Sequence, residues 1–201
     1  MQKNIVKFIL LLLSSLFPFM IQAQPINELF HETNDPFIGN PKGNITIVEF
    51  FDYQCSHCMN MAPVIEAIKN ANPDVRIVFK DFPIRGPISE FSARAALAAK
   101  NQHKYYELSH ALLNSHQRLT REAVLVIASS VGLDIDKLKK DMNSHDIAQQ
   151  LNANIRLANK LNLNGTPAFY FGKTQDGSHL YYTLGEMTQQ EMQDAINKTK
   201  E

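Results

Sequence analysis

Neither sign of charge dominates this 201-residue chain: 20 Lys and Arg face 20 Asp and Glu, which excludes an electrostatic grip on nucleic acid. Only two cysteines occur, Cys55 and Cys58, so a multi-bridge disulfide scaffold and a four-cysteine zinc site are excluded by counting. Low-complexity tracts and a repeat period are missing. Nine Pro and eight Gly, scattered along the chain, argue against a collagen-like or disordered polymer. Long apolar runs are scarce as well. The longest, Phe8 to Ile21, is interrupted by Ser14, Ser15 and Pro18 and falls short of the roughly 20 residues that span a bilayer as a helix. What these absences leave is one ordinary globular domain with room for an insertion.

The amino terminus carries Lys3 and Lys7 and no acid before that apolar run, and Ile21-Gln22-Ala23 ends it on a small residue. This pattern predicts a signal peptide over residues 1–23, cleaved after Ala23, with an uncleaved membrane anchor as the alternative. Cleavage would remove two lysines and no acids, leaving a mature chain of net charge −2. Export, with a bacterial periplasm as the expected compartment, would put both cysteines where disulfides persist.

Residues 24–44 are polar and punctuated by Pro25, Pro36, Gly39, Pro41 and Gly43, which predicts an extended arm. Ile45 to Phe51 is β-branched or aromatic almost throughout and suits a strand buried on both faces, with Glu49 as its exception. After Cys58 the spacing turns helical, with Met61, Ile65 and Ile68 on one face, and Val75 to Phe79 reads as a second strand. Strand, helix, strand predicts a βαβ unit with parallel strands. From Ser89 to Leu163 the pattern is helical, in pieces at 92–100, 105–114, 121–131, 135–142 and 147–161. Thr120, Asp134 and Ser144 are the expected N-caps, and Gly132 and Gly165 the expected stops. Strands at 168–171 and 180–183 and a closing helix at 189–198 complete an α/β chain.

A bond between Cys55 and Cys58 would close a minimal loop and so contribute little as a staple. The same pair where a strand turns into a helix does something else: unpaired N–H groups and the helix dipole favour the first sulfur as a thiolate. Cys55 is therefore the expected nucleophile and Cys58 the buried resolving thiol. His57, between them, would stabilise the same thiolate as a cation or N–H donor. Whatever stabilises the thiolate stabilises the reduced protein and makes the disulfide a stronger oxidant. Haem attachment needs His directly after the second Cys, where Met59 stands, and the remaining histidines show no metal-ligand pairing with the motif. Cu(I) held by Cys55, Cys58, Met59 and Met61 remains an alternative, although Met61 fits the core stripe.

A carboxylate in an apolar strand is costly unless it is paired or functional, which makes Glu49 a candidate proton acceptor for Cys58. Burial would raise its pKa, and Lys80 on the neighbouring strand is expected to moderate the rise through its charge. Gly165-Thr166-Pro167 precedes the apolar strand at 168. It is either a simple turn or a cis Thr166–Pro167 bond that brings the loop against the cysteines and frees the Thr166 backbone for an extended substrate.

Three segments, VEFFDYQCSHC at 48–58, FKDFP at 79–83 and GTPAFYF at 165–171, resemble the DsbA-like group of bacterial periplasmic thiol-disulfide oxidoreductases. The resemblance runs from about residue 40 to the end. It implies a thioredoxin fold (residues 45–85 and 164–201) carrying an inserted helical domain (86–163). It also implies Cys55 as attacking thiol, Cys58 as its partner, Glu49 as the buried acid and Pro167 as the cis-proline. Reduced exported proteins would be the substrates, a membrane redox partner would reset the pair, and neither a cofactor nor a metal is called for. The best-known oxidases of the group have proline after the first cysteine and a hydrophobic residue before the cis-proline, where this chain has Ser56 and Thr166. The resemblance thus implies the chemistry better than its direction; the thiolate argument predicts an exported oxidase that introduces disulfides, with an isomerase or reductase of the same fold as the alternative.

Overall fold

The computed structural model describes residues 23–30, 34–115 and 117–201. The expected signal peptide therefore lies, apart from Ala23, outside the described residues. Five strands, β1 (Phe37–Gly39), β2 (Ile45–Phe51), β3 (Val75–Asp81), β4 (Ala168–Lys173) and β5 (Tyr181–Leu184), form one sheet in the order β1-β3-β2-β4-β5. Only β2 and β3 run parallel, joined by α2 (Ser56–Ala71), as the βαβ pattern requires. Among the described residues, five α-helices and a short 3-10 helix (Lys100–Gln102) intervene between β3 and β4: α3 (Pro87–Ala99), α4 (Tyr105–Leu113), α5 (Arg121–Ser130), α6 (Ile135–Met142) and α7 (His145–Lys160). The chain closes with α8 (Gln189–Lys200).

All seven residues of the central strand β2 are buried, which explains its near-continuous apolar run. Alternation sends its side chains to two cores. Ile45, Ile47 and Phe51 join α2 and the helices after β3, whereas Val48 and Phe50 pack with Leu29, Phe30, Leu157 and Ala158. The caps follow the sequence. Thr120, Asp134 and Ser144 accept hydrogen bonds from the backbone N–H of Ala123, Lys137 and Ile147, and Thr188 forms a capping box with Glu191.

The arm is not extended throughout. It contributes a helix, α1 (Ala23–Phe30), and the edge strand β1, antiparallel to β3. The cause is tertiary: Leu29 and Phe30 are buried on the second face of the sheet, a contact too short to register as a period. Phe30 fits because Gly172 on β4 leaves room, since a Cβ there would stand 2.8 Å from the ring. Gly172→Ala is expected to destabilise the fold by about 1–3 kcal/mol through overpacking, seen as a lower urea midpoint with unchanged slope.

Candidate functional site

The turn that follows β2 is organised by Asp52. Its buried carboxylate accepts from the N–H of Gln54 (2.7 Å) and the hydroxyl of Ser89 (2.7 Å) on one oxygen, and from the N–H of Ile84 (2.8 Å) and Arg85 (3.0 Å) on the other. The loop after β2 is thereby tied to the loop after β3. The Asp52 carbonyl then accepts from Cys55 N at 3.1 Å, which places Cys55 as the N-cap of α2 with extended backbone (φ −86°, ψ 114°). No side chain caps this helix, and the backbone N–H of Cys58 in its first turn is directed to the Cys55 sulfur.

Both cysteines are free thiols. Cys55, 0% exposed, has its Sγ 3.2 Å from the Thr166 carbonyl oxygen, in position to donate when protonated, and Arg85 Nη2 lies 3.7 Å away. The Cys55 thiol is brought down from the ordinary 9.0 to about 5. The hydrogen bond from the Cys58 thiol is the largest cause, and burial opposes it. The Thr166 side-chain hydroxyl, the Cys58 backbone N–H and the Arg85 charge add to the lowering. Cys58 moves the other way, pushed far above an ordinary thiol by burial, then by its bond to Cys55 and the negative charge of Glu49. One sulfur is ionised at neutral pH and its neighbour holds its proton.

Glu49 is 2% exposed, and burial, followed by the charge of Cys55, raises its carboxyl from 4.5 to about 8. No group among the described residues hydrogen-bonds it. It borders a cavity of about 20 Å³ shared with Tyr106, Ser109 and His110, room for a single water. Lys80 does not moderate its charge, contrary to the sequence reading. The register pairs Lys80 with Phe50, so period-two alternation turns it to the opposite face. There it makes a buried ion pair with Asp35 and donates to the Glu28 carbonyl at 2.7 Å.

His57 also has a different partner from the one expected. Its side chain is 61% exposed, and Nδ1 sits 2.5 Å from Glu186 Oε1, which also accepts from Asn60 Nδ2 at 2.8 Å. His57 is not among the main groups that shift the Cys55 thiol. The Thr166–Pro167 bond is cis, and the Thr166 carbonyl faces Cys55 Sγ, while the Pro167 carbonyl accepts from Gly185 N at 2.8 Å. Met61, a soft ligand in the copper alternative, is buried in the core and its Sδ accepts from Met187 N at 3.2 Å. Among the described residues, no three His, Cys, Asp or Glu cluster as a metal site.

Asp52, Arg85 and Glu186 went unnoticed in the sequence. Asp52 had a usable signal, an Asx-type turn two residues before Gln54, whereas Arg85 and Glu186 reach the site only through tertiary contacts.

Residues 46–197 match the DSBA-like thioredoxin domain family. The structure is similar to that of a thioredoxin-like oxidoreductase from Silicibacter pomeroyi DSS-3, with 37% identity, a TM-score of 0.80, and 87% of this chain and 96% of that one covered. A probable disulfide bond formation protein D of Bacillus cereus is 27% identical over 157 residues, 72% of this chain and 73% of that protein. The Na(+)/H(+) antiporter NhaA 1 of Salinispora arenicola is 28% identical over 145 residues, so 70% of this chain spans only 22% of that relative. The fold is thus a thioredoxin fold whose two parts are separated in sequence by helices α3–α7. With the match covering most of its length, the chain belongs to the DSBA-like thioredoxin domain family.

Proposed function

We propose that the chain is an exported thiol:disulfide oxidoreductase that introduces disulfides into reduced exported proteins. The observation that carries this reading is the opposite displacement of two thiols one helical turn apart: Cys55 down to about 5 and Cys58 far up. That division fits an attacked, easily released sulfur and a proton-holding partner.

The cycle starts from a Cys55–Cys58 disulfide. A substrate thiolate attacks Cys55 Sγ, the bond between the two cysteines breaks, and Cys58 leaves with the electron pair. Glu49, neutral at pH 7 with a pKa of about 8, supplies the proton that Cys58 then holds. The substrate's second thiolate attacks its own sulfur in the mixed disulfide, and Cys55 leaves as a thiolate. Two electrons have passed to the protein, which is a dithiol, and the substrate carries a disulfide. A membrane redox partner removes those electrons. Because the acidic Cys55 favours the dithiol, the net direction is oxidation of substrate, and isomerase or reductase activity is the weaker alternative.

With Cys58→Ala expressed behind its own leader in a bacterium, mixed disulfides between Cys55 and exported proteins are expected to accumulate on non-reducing gels. Their absence ends this reading. In a glutathione buffer, a wild-type pair as oxidising as glutathione or more so supports the oxidase direction, and a far more reducing pair reverses it.

A further inference from the structure

The Cys55 sulfur is wholly covered, although the reaction must take place on it. Arg85, by contrast, is an exposed residue whose Nη2 stands 3.7 Å from that sulfur. Its backbone is held in place: Arg85 N donates to Asp52 Oδ2 at 3.0 Å, and its carbonyl accepts from Gln54 Nε2 at 3.2 Å. Gly86, at φ +96°, then turns the chain into α3. Only the side chain is left to move. Among the described residues no carboxylate pairs with this guanidinium, and the side-chain contact it makes is the one to the sulfur. The other titratable groups around Cys55 are the Cys58 thiol on α2, the Glu49 carboxyl on β2, the buried Asp52 carboxyl of the turn between β2 and α2, which accepts from the Arg85 backbone N–H, and the His57–Glu186 pair, with Thr166 uncharged on the loop before β4.

Resting on the exchange reading above, we propose that Arg85 is a catalytic residue: its guanidinium stabilises the charge on Cys55 Sγ when that sulfur leaves, and covers the sulfur between turnovers. In the last step of the cycle the substrate's second thiolate displaces Cys55, and negative charge grows on Sγ within reach of Nη2. A fixed cation at that place lowers the barrier to release. In the first step the guanidinium swings outward to admit the substrate thiolate, a movement within the range of an exposed side chain. Loss of the charge weakens the thiolate and hence the oxidant. Loss of the side chain also uncovers the sulfur. The two consequences are separable by residue type.

Arg85→Met keeps a long side chain without charge, Arg85→Lys keeps a charge, and Arg85→Ala keeps neither. Thiolate absorbance at 240 nm in the reduced proteins is expected to titrate about one pH unit higher in Arg85→Met and Arg85→Ala than in wild type, with Arg85→Lys close to wild type. The equilibrium with glutathione should shift about tenfold toward the disulfide in the same two variants. Release of a model dithiol peptide from its mixed disulfide should slow in parallel. At pH 8, where Cys55 stays ionised in every variant, iodoacetamide should alkylate Arg85→Ala several-fold faster than Arg85→Met. Unchanged titration and release in Arg85→Met would overturn the charge role, and equal alkylation of the Ala and Met variants would overturn the cover. Either failure leaves the exchange reading standing if the Cys58→Ala variant still traps substrates, whereas absence of trapping removes both.

Discussion

Cys55→Ser is expected to abolish exchange, both with dithiol substrates and with glutathione, at every pH at which the protein stays folded. A hydroxyl forms no disulfide, and Cys58 cannot substitute because its sulfur is buried and its proton is held far above the ordinary thiol range. The wild-type pH profile carries the sharper content. With the Cys55 thiol at about 5, alkylation of the reduced protein should be flat from about pH 6 upward and fall tenfold per unit below pH 5. A profile that rises up to pH 8 or 9 contradicts the thiolate assignment. Stability follows the same titration. A folded pKa depressed from 9.0 to about 5 contributes stability that is complete above pH 9 and lost as the pH falls through 5. At pH 7 this amounts to about 3 kcal/mol. Reduced Cys55→Ser should therefore unfold more readily than reduced wild type by about that amount at pH 7, and the gap should close near pH 5.

Glu49→Gln should have the opposite signature, more stable and less active. The carboxyl is raised from 4.5 to about 8, so folding at neutral pH requires it to take up a proton that the unfolded chain has released. For a raised pKa the stability is complete below 4.5 and is lost as the pH climbs through 8. At pH 7 the cost is about 3 kcal/mol, and glutamine, of the same shape and always neutral, removes it. Urea unfolding at pH 7 and pH 4 checks the sign: a gain at pH 7 that disappears at pH 4 is the expected result. Exchange through Cys58 should meanwhile slow on the order of 10²-fold, as for loss of a positioned proton donor. A variant both destabilised at pH 7 and fully active would contradict this role for Glu49.

Much of this was visible in the chain itself. β2 announced itself by an apolar run that only a doubly buried strand sustains, and Glu49 stood out because it broke that run. The N-caps at Thr120, Asp134 and Ser144 act over three residues, a range that local pattern captures. What the pattern misses has a common origin in longer range. Strand adjacency puts Lys80 beside Glu49, but the register with Phe50 decides its face. His57 lies between the two sulfurs along the chain, yet its ring meets Glu186 on the segment after β5. Arg85 reaches Cys55 only because Asp52 binds the loop that carries it.

The acidity of Cys55 is assembled from residues 55, 58, 85 and 166, the last lying beyond the whole of α3–α7. The lowered thiol therefore exists only where the two halves of the sheet, distant in sequence, have been brought together, so it reports on the folding of the whole described domain and not of the segment that carries the cysteines.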